Sequence, residues 1–179
     1  VGLGPYLKLK VNPLPVINLG ADFILCLDPI TGNGSQTINA TPTVAGNYTY
    51  TWTPANPSLN GLGEQNAQYN VTQSGTYNVI VKNNATGCEN TESISVTTSS
   101  EPENFSALLI TPLFATGLAS IEALTTGGIG IYEYSIDGGN EWQSSPVFSG
   151  LTNGSYTILV RDEAQCGILE SQIIQTVTY

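Results

Sequence analysis

The sequence predicts an all-β protein of two tandem β-sandwiches. Three observations carry this. Several segments alternate apolar and polar residues with period two, turn-forming pairs punctuate them, and the whole pattern occurs twice. A length of 179 residues suits two modules of about 80 to 90 residues each.

The elements follow in chain order. Tyr6-Leu-Lys-Leu-Lys-Val11 reads as a strand, and Pro13 and Pro15 stiffen what comes next. Residues 1–15 are therefore read as the end of a preceding module and a linker, in a chain cut from something longer. The first module is 16–98. Tyr48, Tyr50 and Trp52 share one strand face, as do Tyr77, Val79 and Val81, and an alternating strand runs from Glu92 to Thr98. Asn33-Gly34 and Asn60-Gly61 mark turns. Residues 99–103, with Pro102, read as a second linker.

The second module is 104–179. Tyr132, Tyr134 and Ile136 repeat the first face, and Tyr156, Ile158 and Val160 the second, with turns at Asp137-Gly138 and Asn153-Gly154. Ser74-Gly-Thr-Tyr-Asn-Val-Ile-Val81 matches Asn153-Gly-Ser-Tyr-Thr-Ile-Leu-Val160. Each is followed by a cysteine, Cys88 or Cys166, and then an alternating strand, the later one from Glu170 to Thr178. Gly75-x-Tyr77 and Gly154-x-Tyr156 stand where a tyrosine corner would lie. Trp52 would be the core tryptophan of the first module, with Ile136 in its place in the second. These features predict immunoglobulin-like or PKD-like sandwiches.

Composition narrows function. Charged residues are 10% of the chain, and mean hydropathy is +0.02. Thr, Ser, Asn and Gly occupy the places where Lys and Glu usually sit, as in many extracellular β-proteins. Net charge is −10, with Lys8, Lys10, Lys82 and Arg161 the only cations. A phosphate backbone demands clustered cations, so this balance excludes nucleic acid. Anionic lipid is excluded for the same reason. No apolar run is long enough to span a bilayer, so direct membrane insertion is not expected.

The chain has no His, which removes Ser-His and Cys-His nucleophile pairs. Glu133, Asp137, Glu141, Asp162 and Glu163 could in principle form a carboxylate pair, but alternation sends Glu133 toward solvent. No catalytic residue, cofactor site or metal site is therefore assigned. Asp22 and Asp28 lie near Cys26, but no ligand run of calcium-loop spacing accompanies them. Lys82, the one lysine within a module body, points away from the Val79–Val81 face.

Of the three cysteines, the preferred reading joins Cys26 to Cys88. Closing such a loop would stabilise by about 4 kcal/mol in the chain-entropy model. Cys166 is left as a small apolar side chain or as the partner of something outside the chain. Ser135-x-Asp137-x-Gly139-x-x-Trp142 matches the Asp-box pattern, in which Asp and Ser oxygens fix a hairpin turn above the Trp. It is read as a folding device, with Trp142 the one candidate for surface binding by stacking on a sugar.

Several motifs together carry a resemblance. Leu14-Pro-Val-Ile-Asn-Leu-Gly-Ala-Asp22, Tyr50-x-Trp52, Ser74-Gly-Thr-Tyr77 and Gly87-Cys88 resemble PKD-like and Ig-like repeats of giant bacterial surface proteins. Gly127-Gly-x-Gly130, Tyr132-Glu-Tyr-Ser-Ile-Asp-Gly-Gly139, Trp142-Gln143 and Val160-Arg-Asp162 resemble SprB-like repeats of gliding-motility adhesins. Those adhesins leave the cell by the type IX secretion system, often with a type B sorting domain after such a module. Family repeats often carry an early second cysteine, and Phe105 to Leu124 has none.

The resemblance implies a secreted or cell-surface bacterial protein, a non-enzymatic stalk or adhesion segment. Its expected partners are neighbouring modules of the same chain, type IX translocon or outer-membrane anchoring components, and extracellular polysaccharide. The alternative is a carbohydrate-binding accessory module of a secreted hydrolase.

Overall fold

A computed structural model describes residues 10–54, 66–111 and 118–176, and among them none is helical. By contact, the chain forms two compact units. One is Val1–Phe23 with Gln36–Val96, and the other is Ile24–Ser35 with Thr97–Tyr179.

The first six strands are β1 (Phe23–Cys26), β2 (Gln36–Asn39), β3 (Tyr48–Thr53), β4 (Gln68–Val71), β5 (Gly75–Asn83) and β6 (Glu89–Ser99). One sheet has the order β1-β6-β5-β3, and β2 pairs with β4 in another. The period-two faces are where the sequence puts them. Tyr50 lies opposite Val81 and Trp52 opposite Val79, and all four are buried. Trp52 on β3 meets Tyr69 on β4 at a ring separation of 5.2 Å, and Tyr69 meets Tyr77 on β5 at 5.1 Å. Each such aromatic pair adds about 0.5–1.5 kcal/mol beyond its burial.

The segment before β1 is docked on this unit. The Asn90 side chain donates to Pro15 O at 2.9 Å, Thr43 N–H donates to Val16 O, and Ile17 and Leu19 are buried. Pro15, expected in a linker, is itself buried. The predicted strand at Tyr6–Val11 falls largely outside the described residues, as does the Asn60-Gly61 turn.

The remaining strands are β7 (Pro102–Thr111), β8 (Ala119–Gly127), β9 (Glu133–Ser135), β10 (Val147–Leu151), β11 (Gly154–Tyr156), β12 (Leu159–Arg161), β13 (Leu169–Glu170) and β14 (Ile174–Thr176). They form sheets ordered β10-β8-β7 and β13-β12-β9, with β11 paired to β14. The core is Ala107, Ile121, Ala123, Tyr134, Phe148, Ile158, Val160 and Ile174. Ile136 packs against this cluster only partly buried, so the counterpart of Trp52 is a peripheral residue.

Two predicted strands are interrupted. Tyr156–Val160 divides into β11 and β12, and Glu170–Thr178 divides into β13 and β14. Ser171 is the cause. Its N–H donates to Ile158 O at 2.8 Å, and its Oγ accepts the Ile158 N–H at 3.0 Å. A side chain thus takes a ladder position, and the chain passes from pairing β12 to pairing β11. Within 99–103, β6 runs through Ser99 and β7 begins at Pro102.

The tyrosine corners form twice. Tyr77 donates its hydroxyl to Gln73 O at 2.7 Å, and Tyr156 donates to Thr152 O at 3.1 Å. Each reaches four residues back, as the corner geometry requires.

The expected Cys26–Cys88 bridge is corrected by the structure. Cys26 is bonded to Cys166 with a Cα–Cα distance of 5.2 Å, and Cys88 is a free thiol. The reason is direction along β6. The preceding chain runs parallel to it, with Cys88 Sγ near Asn12 O at one end and Leu27 N–H donating to Ser99 O at the other. Cys88 thus precedes the first residue of β6, whereas Leu27, next to Cys26, pairs with its last. A disulfide needs Cα atoms within about 7 Å.

Candidate functional site

The Asp-box hairpin joins β9 to Gln143. Tyr134 and Gln143 exchange two backbone hydrogen bonds at 2.8 and 2.9 Å, which closes the hairpin. Between them the chain must turn tightly, and Gly138 and Gly139 supply φ of 76° and 90°. Ser135, 1% exposed, donates its hydroxyl to Asp137 Oδ1 at 2.7 Å and accepts the Gly139 N–H at 2.9 Å. Asp137 accepts the N–H groups of Asn140 and Glu141 at 3.0 Å. The hydrogen bond from Glu141 N–H, followed by that from the Ser135 hydroxyl, holds the Asp137 carboxyl below its ordinary pKa.

Trp142 completes the turn. Its indole N–H donates to Gly139 O at 3.0 Å, and the ring is half-buried. Arg161, on β12, lies over that ring at 4.0 Å and pairs with Glu133 Oε2 at 2.8 Å. Cation–π contacts of this kind contribute about 0.5–1 kcal/mol when partly exposed. Glu133, expected toward solvent, is thus partly exposed and held by Arg161. Beneath the hairpin is a concavity of about 140 Å³, lined by Tyr134, Ile136, Asp137, Glu141, Trp142, Gln143 and Phe148.

The other singled-out carboxylates lie elsewhere. Asp162 is 1% exposed, and its oxygens accept Ile129 N–H at 2.8 Å and Gln165 N–H at 3.0 Å. Asp22 accepts Ser95 N–H at 2.8 Å. Asp28 caps its own turn through the N–H and hydroxyl of Thr31, which hold its carboxyl below the usual range. Among the described residues, no three His, Cys, Asp or Glu side chains come together as a metal site would require. Lys82 is on the surface, paired with Glu89 at 2.9 Å.

Sequence spacing locates Ser135, Asp137, Gly139 and Trp142, because their contacts are local. It misses Arg161, which reaches Trp142 across strand pairing. The only signal for it was the alternation that places Arg161 beside Val160 on the opposite face of β12.

No family model and no curated protein sequence matches this chain. Solved structures do match. Murine CEACAM1b is similar with a TM-score of 0.54 and 9% identity, over 86% of this chain and 94% of that one. Extracellular domains 3–5 of Drosophila OTK are similar with a TM-score of 0.49 and 13% identity, over 93% of this chain. The N-terminal eight Ig domains of Down Syndrome Cell Adhesion Molecule match at 0.49 and 14%, over 96% of this chain. This chain spans 60% of the OTK structure and 28% of the last. The likeness to CEACAM1b agrees with the strand pairing above and gives an Ig-like, all-β fold.

Proposed function

We propose that this chain is a non-catalytic structural and adhesive segment of a large secreted or cell-surface bacterial protein, tied to gliding motility and type IX secretion. The observation that carries the reading is the Asp-box hairpin. Asp137 and the Trp142 indole N–H, the groups best suited to chemistry or sugar recognition, are spent on their own backbone. The Ig-like fold and the SprB-like motifs of the second half support it. The cystine supports an extracellular or surface location, since such bonds persist in oxidising compartments. Its partners in this reading are neighbouring modules, type IX translocon or anchoring components, and extracellular polysaccharide contacted weakly at many copies.

Surface labelling of the full-length protein in a gliding bacterium, with and without an intact type IX translocon, tests the export half. Display that persists without the translocon would end that part of the reading. A second function, a carbohydrate-binding accessory module, is favoured by the aromatic lining of the concavity beneath Trp142. A glycan array separates the two. Saturable binding to one polysaccharide, lost in Trp142→Ala, establishes the accessory role. No glycan binding leaves the spacer.

A further inference from the structure

We propose that the Cys26–Cys166 cystine is a mechanical clamp, which carries tension applied to the two ends of the chain and keeps the residues between the two cysteines from being drawn out. The inference rests on reading the chain as a segment of a long surface protein.

Covalent topology makes the case. The two cysteines are separated by 140 residues in sequence. Every strand from β2 to β12 lies inside the ring they close, and only β1, β13 and β14 lie on the outer path. Tension entering before Phe23 reaches Cys26, crosses to Cys166, and leaves through Leu169–Thr176. That covalent path does not run through Trp52 or Val79, and it meets Val160 only through the strand pairing of Leu169.

Both anchors are stiff. Cys26 lies between Leu25, 4% exposed, and Leu27, whose N–H donates to Ser99 O at 2.7 Å. Cys166 follows Gln165, whose N–H donates to the O and Oδ1 atoms of buried Asp162 at 3.1 and 3.0 Å. The Ser99 hydroxyl approaches Asp162 Oδ2 at 3.5 Å. The covalent bond is therefore bracketed by a chain of contacts joining its two flanks.

The clamp sets a length. The residues outside the ring, 1–25 and 167–179, extend to about 130 Å. Opening the ring releases 140 residues, roughly 480 Å of contour. The full chain, held by handles at both ends in single-molecule force spectroscopy, reads this directly. Dithiothreitol reduces the partly exposed cystine to two thiols while becoming a cyclic disulfide itself.

The expected result is a short extension without reductant and an added step roughly fourfold longer with it. Equal extension in both conditions overturns the proposal. So does peptide mapping that finds Cys26 free or joined to Cys88. The double variant Cys26→Ser/Cys166→Ser should give the long extension without reductant. Should that variant fail to fold, the wild-type traces decide alone. The translocon and glycan experiments can fail while the clamp stands, and the reverse also holds.

Discussion

The two units share a tyrosine corner and are held together differently. The first relies on aromatic bulk: Tyr48, Tyr50, Trp52, Tyr69 and Tyr77 are all buried. The second contains Ser99, Ser135, Asp162, Ser171 and Thr176, which are the buried polar residues among those described. It also contains the cystine. Long strands with an apolar interior need no polar staples. Strands of two or three residues, as in β11 to β14, leave backbone groups that side chains must satisfy. The comparison teaches that one fold accepts either solution, provided the backbone hydrogen bonds close.

The largest break in that contrast should come from Cys166→Ser. A ring of this size stabilises by about 5 kcal/mol in the chain-entropy model. Urea melts should show the second unit losing several kcal/mol, with Cys88→Ser, which removes the free thiol, nearly silent. A second unit unchanged in Cys166→Ser would mean its short strands suffice alone.

Trp52→Ala should cost about 3–5 kcal/mol, concentrated in the first unit. Amide hydrogen exchange resolved by unit would show protection falling in β3 to β6 and holding in β12. Ser171→Ala should cost about 1–3 kcal/mol in the second unit, because the buried Ile158 N–H loses its acceptor. The same measurement reads it at β11 to β14, and a loss under 0.5 kcal/mol would contradict the polar-staple account.

The smallest effects are those of pH, and they divide the units cleanly. Asp28 and Asp137 have lowered pKa values, so their contribution is complete above the unfolded value of 3.8 and is lost as pH falls through the folded one. Tyr50 and Tyr69 are raised, first by burial and then by neighbouring tyrosines. Their contribution is complete below pH 10.0 and is lost as pH climbs through the higher folded value. Acid should therefore loosen the second unit and alkali the first, as followed by amide NMR peaks. Loosening in the opposite order would reverse the assignment of polar and aromatic cores.

Much of this was legible in the chain. Period-two faces gave Tyr50, Trp52, Val79 and Val81 as core, and the two Gly-x-Tyr motifs gave both corners, since each is decided within a few residues. The Asp-box turn was legible for the same reason. Cysteine pairing was not, because it depends on which end of β6 the preceding chain reaches. Nor was the break at Ser171, where a hydroxyl replaces a ladder partner. The β7–β8 pairing escaped notice because Leu108-Leu109-Ile110 runs apolar without alternating, with all three side chains partly exposed.

The turn from Ser135 to Gln143 has one more consequence. The hydrogen bonds that shape it close within nine residues, so little chain entropy opposes its formation. It is therefore suited to be the earliest piece of the second unit to assemble. The β11–β14 pairing, about twenty residues apart in sequence, would then dock onto a nucleus already in place.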